Sequence, residues 1–253
     1  MTMLQPFITH KFNGTVWRLE IDTLTDTMVV EVRNEAEKQT GFSSLDLATG
    51  KTNFTDLTTP ERWLTGIECV YDNVLLLHHY RHESGPEHKA IIAFDAQTGS
   101  QMWSNYSFAF DHLTINGPVV YNINILPKKL SVIDIKTGTI KIAYDKAIDK
   151  PLENNIVIPQ MVTPEQLVPG SLPVEPYGNL VDYLDHNKYR IVSLHTQKDG
   201  LLQQHLFITS GTEIIYRDLL NTDIQKLQPE AFVLHKNALI YIKNRSEINV
   251  IRL

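Results

Sequence analysis

Cysteine is nearly absent: Cys69 is the only one in 253 residues. An intramolecular disulfide and a cysteine-rich zinc site are both excluded. Cys69 sits in the apolar run Ile67-Glu68-Cys69-Val70 and reads as a buried, inert thiol. Concentrated positive charge is also missing. Lys and Arg are scattered, no basic block exceeds Lys128-Lys129, and the net charge is −6. Releasing phosphate counterions needs a basic face, so nucleic acid is not an expected partner. No window approaches the ~18 apolar residues of a membrane span, and runs such as Val74-Leu75-Leu76-Leu77 have strand length. The segment Met1–Phe7 lacks the basic start, apolar stretch and small-residue cleavage site of a signal peptide. A cytoplasmic protein without a membrane partner is the expectation. Nucleophile elbows, dinucleotide fingerprints and phosphate-binding loops are absent from the sequence as well.

What is present is a repeat. Asp46-Leu47-Ala48-Thr49-Gly50, Asp95-Ala96-Gln97-Thr98-Gly99 and Asp134-Ile135-Lys136-Thr137-Gly138 share one pattern, each behind a short apolar strand, with spacings of 49 and 39 residues. The Asp carboxylate can accept turn N–H groups, and the Gly supplies the positive φ of a tight hairpin. Asp-x-x-Thr-Gly is therefore a hairpin corner. Leu194 to Gly200 reads as a degenerate fourth copy with one extra residue. Further strand-like runs are Met28–Val32, Pro118–Tyr121, Tyr189–Leu194, Ala231–Leu234, Ala238–Ile242 and Ile248–Ile251, rich in β-branched and aromatic residues. The best helical candidate, Thr163–Leu167, is one turn at most.

A period of roughly 40–50 residues carrying about four strands matches a β-propeller blade. The expected fold is all-β: one propeller domain over residues 1–253 with about five four-stranded blades, four or six being the alternatives that the uneven spacing leaves. Asn13-Gly14-Thr15-Val16-Trp17 resembles the exit strand after a corner. Ile248–Leu253 resembles the strand before one. Pairing of N- and C-terminal strands is thus expected to close the ring and remove two edges. Residues 151–176 hold six of the twelve prolines and read as a long connection between the third and fourth blades.

The corner followed by an aromatic exit strand, best seen from Ala90 through Gly99 to Trp103, resembles the pyrroloquinoline-quinone-type (quinoprotein-like) propeller repeat. The first and third copies have Phe54, and Ile142 or Tyr144, where that Trp would stand. As a whole the chain resembles an uncharacterised bacterial family of similar length, which brings no activity with it. Quinoprotein dehydrogenases have a larger ring, a calcium site and often a vicinal cysteine pair. The resemblance therefore implies the fold and argues against a quinone cofactor; no cofactor is expected.

By analogy with propellers, ligands meet the rim formed by second-to-third-strand loops and inter-blade connections. The strongest local feature there is His78-His79-Tyr80-Arg81-His82-Glu83-Ser84-Gly85-Pro86-Glu87-His88-Lys89, with four of the ten histidines in eleven residues. Imidazole and carboxylate at alternate strand positions can ligate a divalent metal, with His78, His82 and His88 as candidate ligands. The alternative is a polar hairpin whose histidines pack on the next blade. Rim candidates for ligand binding are Trp63, Tyr80, His82, Glu83, Glu87, His88, the pair Asp111-His112 and the pair Asp185-His186. No catalytic residue is assigned. The expected function is a non-catalytic binding module for an unidentified protein or small molecule. The alternative is a small, metal-assisted hydrolase such as a glycosidase, for which Glu61, Glu68, Glu83, Glu87, Asp111 and Asp185 supply carboxylates without a spacing that selects a pair.

Overall fold

The computed structural model describes residues 3–167, 172–228 and 231–253. After β1 (Ile8–Lys11), three antiparallel meanders follow in order: β2 (Thr15–Asp22), β3 (Thr27–Asn34), β4 (Gln39–Asp46) and β5 (Thr52–Leu57); β6 (Thr65–Tyr71), β7 (Val74–Tyr80), β8 (His88–Asp95) and β9 (Gln101–Asn105); β10 (Phe108–Thr114), β11 (Gly117–Asn122), β12 (Leu130–Ile133) and β13 (Ile140–Ala143). The remaining strands are β14 (Ile156–Val157), β15 (Gln160–Val162), β16 (Val181–His186), β17 (Tyr189–Lys198), β18 (Leu201–Ser210), β19 (Glu213–Ile224), β20 (Phe232–His235), β21 (Ala238–Lys243) and β22 (Glu247–Arg252). The protein is all-β, and its five antiparallel sheets match the five blades expected of a quinoprotein-like propeller. The only helix among the described residues is a 3-10 turn, Pro164–Gln166.

The chain forms two compact units: residues 13–154, and residues 1–12 with 155–253. The first unit holds the three meanders. β7 lies between its neighbours and is apolar on both sides, because alternate side chains enter different cores. Leu75 and Leu77 pack with Val29 and Phe42 of the first sheet, whereas Val74 and Leu76 pack with Val120, Ile133 and Ile135 of the third. All four are at most 1% exposed. Each such leucine contributes about 1.5–3 kcal/mol of burial.

The three Asp-x-x-Thr-Gly segments join β4–β5, β8–β9 and β12–β13. Asp46 Oδ1 accepts the N–H groups of Ala48 and Thr49, at 2.7 and 3.0 Å, and Asp95 and Asp134 do the same at their corners. Gly50, Gly99 and Gly138 have φ of +77°, +71° and +71°. Gly99 and Gly138 also accept the neighbouring sheet. The Trp103 ring lies against Gly138, where a Cβ would come within 2.6 Å of it, and Trp103 Nε1 donates to Ile135 O at 2.9 Å. Phe54 takes the matching place on Gly99. Phenylalanine has no donor, and Ser44 Oγ instead donates to Ala96 O, the counterpart of Ile135 O, at 2.6 Å.

The first strands of these sheets each carry a bulge at the same place. Register slips between Val16 and Arg18, between Ile67 and Cys69, and between Phe110 and His112. Trp17, Glu68 and Asp111 are the extra residues, and a bulge re-aims the side chain it carries.

The second unit has the sheets β15-β16-β17-β18-β19 and β1-β22-β21-β20-β14. Ile191, Leu206 and Ile208 pack against Phe232, Leu239, Tyr241 and Ile251 between them. Tyr216 donates to Tyr241 at 2.6 Å, Tyr241 donates to Asp218 at 2.8 Å, and Lys243 closes the chain at 2.6 Å. The strand beside β22 is β1, with Ile8 opposite Val250. Asn13–Trp17 does not take that place. Gly14 passes so close to β3 that a Cβ would lie 2.7 Å from Arg33 O, and Thr15–Trp17 begin β2. The degenerate fourth copy also differs from a corner. Asp199 and Gly200, at φ +52° and +83°, make a two-residue turn between β17 and β18. The proline-rich stretch contains β14, β15 and the 3-10 turn, where Gln166 Oε1 accepts Thr163 N–H at 2.8 Å. Residues 168–171 of that stretch lie outside the described residues.

Candidate functional site

The second meander gathers a carboxylate and two imidazoles from three consecutive strands. Glu68 is the bulged residue of β6, His78 lies near the end of β7, and His88 begins β8 opposite Tyr80. Glu68 Oε1 is 2.8 Å from His88 Nδ1 and 3.2 Å from His78 Nδ1. The two rings are stacked, with centroids 3.5 Å apart and planes 8° from parallel. Tyr80 meets both edge-on, at 4.6 and 5.2 Å.

Burial shapes the electrostatics. Glu68 is 8% exposed and His78 1% exposed, while the His88 side chain keeps a solvent-facing edge. Burial pushes the Glu68 carboxyl up, but the two facing imidazoles outweigh it and hold the group below the usual glutamate range. Burial pushes the His78 imidazole down, and the attraction of Glu68 does not overcome it. At His78, Nδ1 lies 3.2 Å from Glu68 Oε1 but is poorly aligned for a hydrogen bond, and Nε2 has no hydrogen-bond partner. Buried polar atoms in native proteins nearly always have a partner.

The first meander supports this cluster. Glu31 Oε2 accepts the N–H of Ile67 at 3.1 Å, and Arg18 Nη1 donates to Ile67 O at 2.8 Å. Both backbone groups beside the bulge are thus satisfied by side chains of the adjacent sheet. Gly66 leaves room for the His78 ring, since a Cβ there would lie 2.9 Å from its Cε1.

Next to Glu31 lies an aromatic and cationic group. Arg33 pairs with Glu31 at 2.8 Å, and its guanidinium lies 4.3 Å from the Trp17 ring centroid, 5.7 Å from Trp63 and 5.8 Å from Tyr80. Lys38 Nζ sits 4.8 Å from the Trp63 centroid. Trp17 remains 59% exposed, which is unusual for so large an apolar side chain.

The structure brings Tyr80, His88 and Trp63 of the sequence candidates to this region. His82 and Glu83 lie in the exposed β7–β8 turn, with Glu83 3.7 Å from Lys38 and Glu87 3.2 Å from Arg81. Of the three candidate metal ligands, His78 and His88 are in the cluster; Glu68 stands where His82 was expected. Asp111 and His112 lie on β10, bonded to each other at 2.7 Å, with Lys128 on Asp111 at 2.5 Å. Asp185 and His186 belong to β16 in the other unit, where Tyr183 donates to Asp185 and Asn237 meets His186 at 3.0 Å. From the sequence, Glu68 stands among the carboxylates with no histidine partner assigned, Trp17 belongs to a supposed exit strand, and Glu31 and Arg33 carry no site role. A cavity of about 210 Å³ on the third meander, lined by Phe108, Val120, Tyr121 and Lys129 among others, shares no residue with the cluster.

A family described as a domain of unknown function (DUF4905) matches residues 21–103, a stretch that includes Glu31, Arg33, Glu68, His78 and His88. None of the curated proteins matches the chain. Among solved structures the chain is similar to BamB from Moraxella catarrhalis, at 10% identity over 96% of this chain and 85% of that one, with a TM-score of 0.33. It is similar to the β-propeller domain of the Trilobed protease from Pyrococcus furiosus, at 10% identity over 93% and 64%, with a TM-score of 0.34. An uncharacterized protein from Listeria monocytogenes is 12% identical over 94% and 76%, with a TM-score of 0.34.

Proposed function

We propose that this protein is a non-catalytic binding module that takes a protein partner on the surface formed by Trp17, Arg33, Trp63 and Tyr80. The observation that carries the reading is Trp17: an indole 59% exposed, with the Arg33 guanidinium 4.3 Å from its ring centroid. Arg33 is in turn fixed by Glu31, so the platform is set before a partner arrives. Pre-organisation spares the entropy that a mobile side chain loses on binding. Trp, Tyr and Arg are the residues that most often dominate protein interfaces, and the charge on Arg33 is already balanced by Glu31. An apolar or aromatic side chain of the partner fits such a surface better than a bare charge.

The test compares co-purified, cross-linked partners of the wild type with those of Trp17→Ala and Trp63→Ala. Leu126→Ala, at a site 90% exposed, serves as the control. A hot-spot loss of at least ~2 kcal/mol corresponds to roughly 30-fold weaker capture. That loss is expected for the tryptophan variants and not for the control. Unchanged partner sets in both tryptophan variants would sink the reading.

A further inference from the structure

We propose that Glu68, His78 and His88 form a binding site for one divalent transition-metal ion of the zinc class, independent of any partner on the Trp17 surface. The donor set is two imidazole nitrogens and one carboxylate oxygen. That combination suits Zn²⁺ and leaves a fourth position for water. The ligating atoms of the three side chains lie within 4.8 Å of one another. The two Nδ1 atoms stand 2.8 and 3.2 Å from Glu68 Oε1. Metal–ligand bonds of about 2.0–2.1 Å set donors roughly 3.3 Å apart around a tetrahedral ion, close to the spacing found here; because each nitrogen lone pair lies in its ring plane, one of the two stacked imidazoles, the part-exposed His88, turns out of the stack to bind.

A hydrogen-bonded histidine cluster would not require an ion, and His88 alone satisfies that description. His78 does not. Its ring is 1% exposed, Nε2 has no hydrogen-bond partner, and Nδ1 meets the same carboxylate oxygen as Nδ1 of His88 at 3.2 Å in poor alignment. An ion among the three donors gives Nδ1 a partner. The supports are in place too. Gly66 makes room for the His78 ring, and Arg18 and Glu31 hold the backbone beside the bulge that aims Glu68. The exposed edge of His88 gives the ion a way in.

The experiment uses the full chain without an affinity tag, dialysed against chelator and titrated with ZnCl₂ at neutral pH by calorimetry. Metal content is measured after gel filtration. One zinc per chain is expected. His88→Ala and Glu68→Gln should each weaken binding at least tenfold, while His82→Ala and His112→Ala leave it unchanged. Circular dichroism checks that each variant is folded. Because His78 is buried, its substitution is not relied on. A crystal of the wild type soaked in zinc locates the ion directly by anomalous scattering. Failure of the wild type to retain zinc would overturn the proposal. So would wild-type affinity in both ligand variants, or an anomalous peak away from Glu68 Oε1 and the two Nδ1 atoms.

Discussion

Gly66 governs what the buried His78 ring can do. It precedes Ile67, whose N–H and C=O are held by Glu31 and Arg18, so the backbone there has little freedom to retreat. A methyl at this position would lie 2.9 Å from His78 Cε1 and 3.3 Å from Glu31 Oε2. The imidazole must then rotate out of its stack on His88 or push on the carboxylate that binds Ile67. Overpacking of this kind costs about 1–3 kcal/mol. Gly66→Ala is therefore expected to lower the unfolding free energy by that amount, seen as a lower urea midpoint at an unchanged slope. An alanine variant as stable as the wild type would mean that the ring has space the structure does not give it.

At the scale of the element, the seams between sheets rest on a corner and the side chain that lies on it. Between the second and third meanders, Trp103 supplies both the ring against Gly138 and the hydrogen bond to Ile135 O. Between the first and second, the tasks are split: Phe54 supplies the ring, and Ser44 supplies the bond to Ala96 O. Ser44→Ala removes a fully buried donor and orphans that carbonyl, at a cost of about 1–3 kcal/mol. Adding Phe54→Trp to Ser44→Ala should recover part of the loss, because an indole there can reach the carbonyl as Trp103 does. Denaturant unfolding of the two variants tests this, and a double variant less stable than Ser44→Ala alone would refute it. The corners were legible in the sequence because their chemistry is local: the carboxylate, the turn N–H groups and the glycine lie within five residues. The bulges were not. Ile67 and Val70, three residues apart, enter the same core, whereas strict alternation would set them on opposite faces. That slip aims Glu68 at the histidines, and the matching slip in β2 gives Trp17 its exposed position. Alternation in the histidine hairpin carries the face of His78 on to His82, but β7 ends at Tyr80 and His82 lies beyond it.

For the whole molecule, acid stability follows from groups whose protonation differs between folded and unfolded chains. Burial, with a smaller push from His205, holds the His195 imidazole below its ordinary value of 6.5, and burial also lowers His205. The geometry at His195 agrees, since its Nε2 accepts the N–H of Gln228 at 3.1 Å and can do so only when unprotonated. Below pH 6.5 the unfolded chain takes up protons at these positions before the folded chain does. Folding stability must then fall with falling pH, and this contribution levels off once pH is below the folded values. A second loss follows at lower pH. Burial tends to raise Asp46 and Asp134, but their turn hydrogen bonds prevail and hold both below 3.8; Asp111 is held down likewise by Lys128 and His112. These carboxylates contribute stability above their unfolded values that disappears as pH falls through the folded ones. The urea midpoint of metal-free protein is thus expected to decline in two stages, first below about pH 6.5 and again in the carboxylate range. His195→Gln, whose side-chain oxygen can accept the Gln228 N–H at any pH, should make the first stage shallower without abolishing it, because burial also holds down His205, His78 and His79, and should leave the second. A wild-type midpoint that stays level between pH 7 and 5 would show that these histidines protonate as readily in the folded protein as in the unfolded chain.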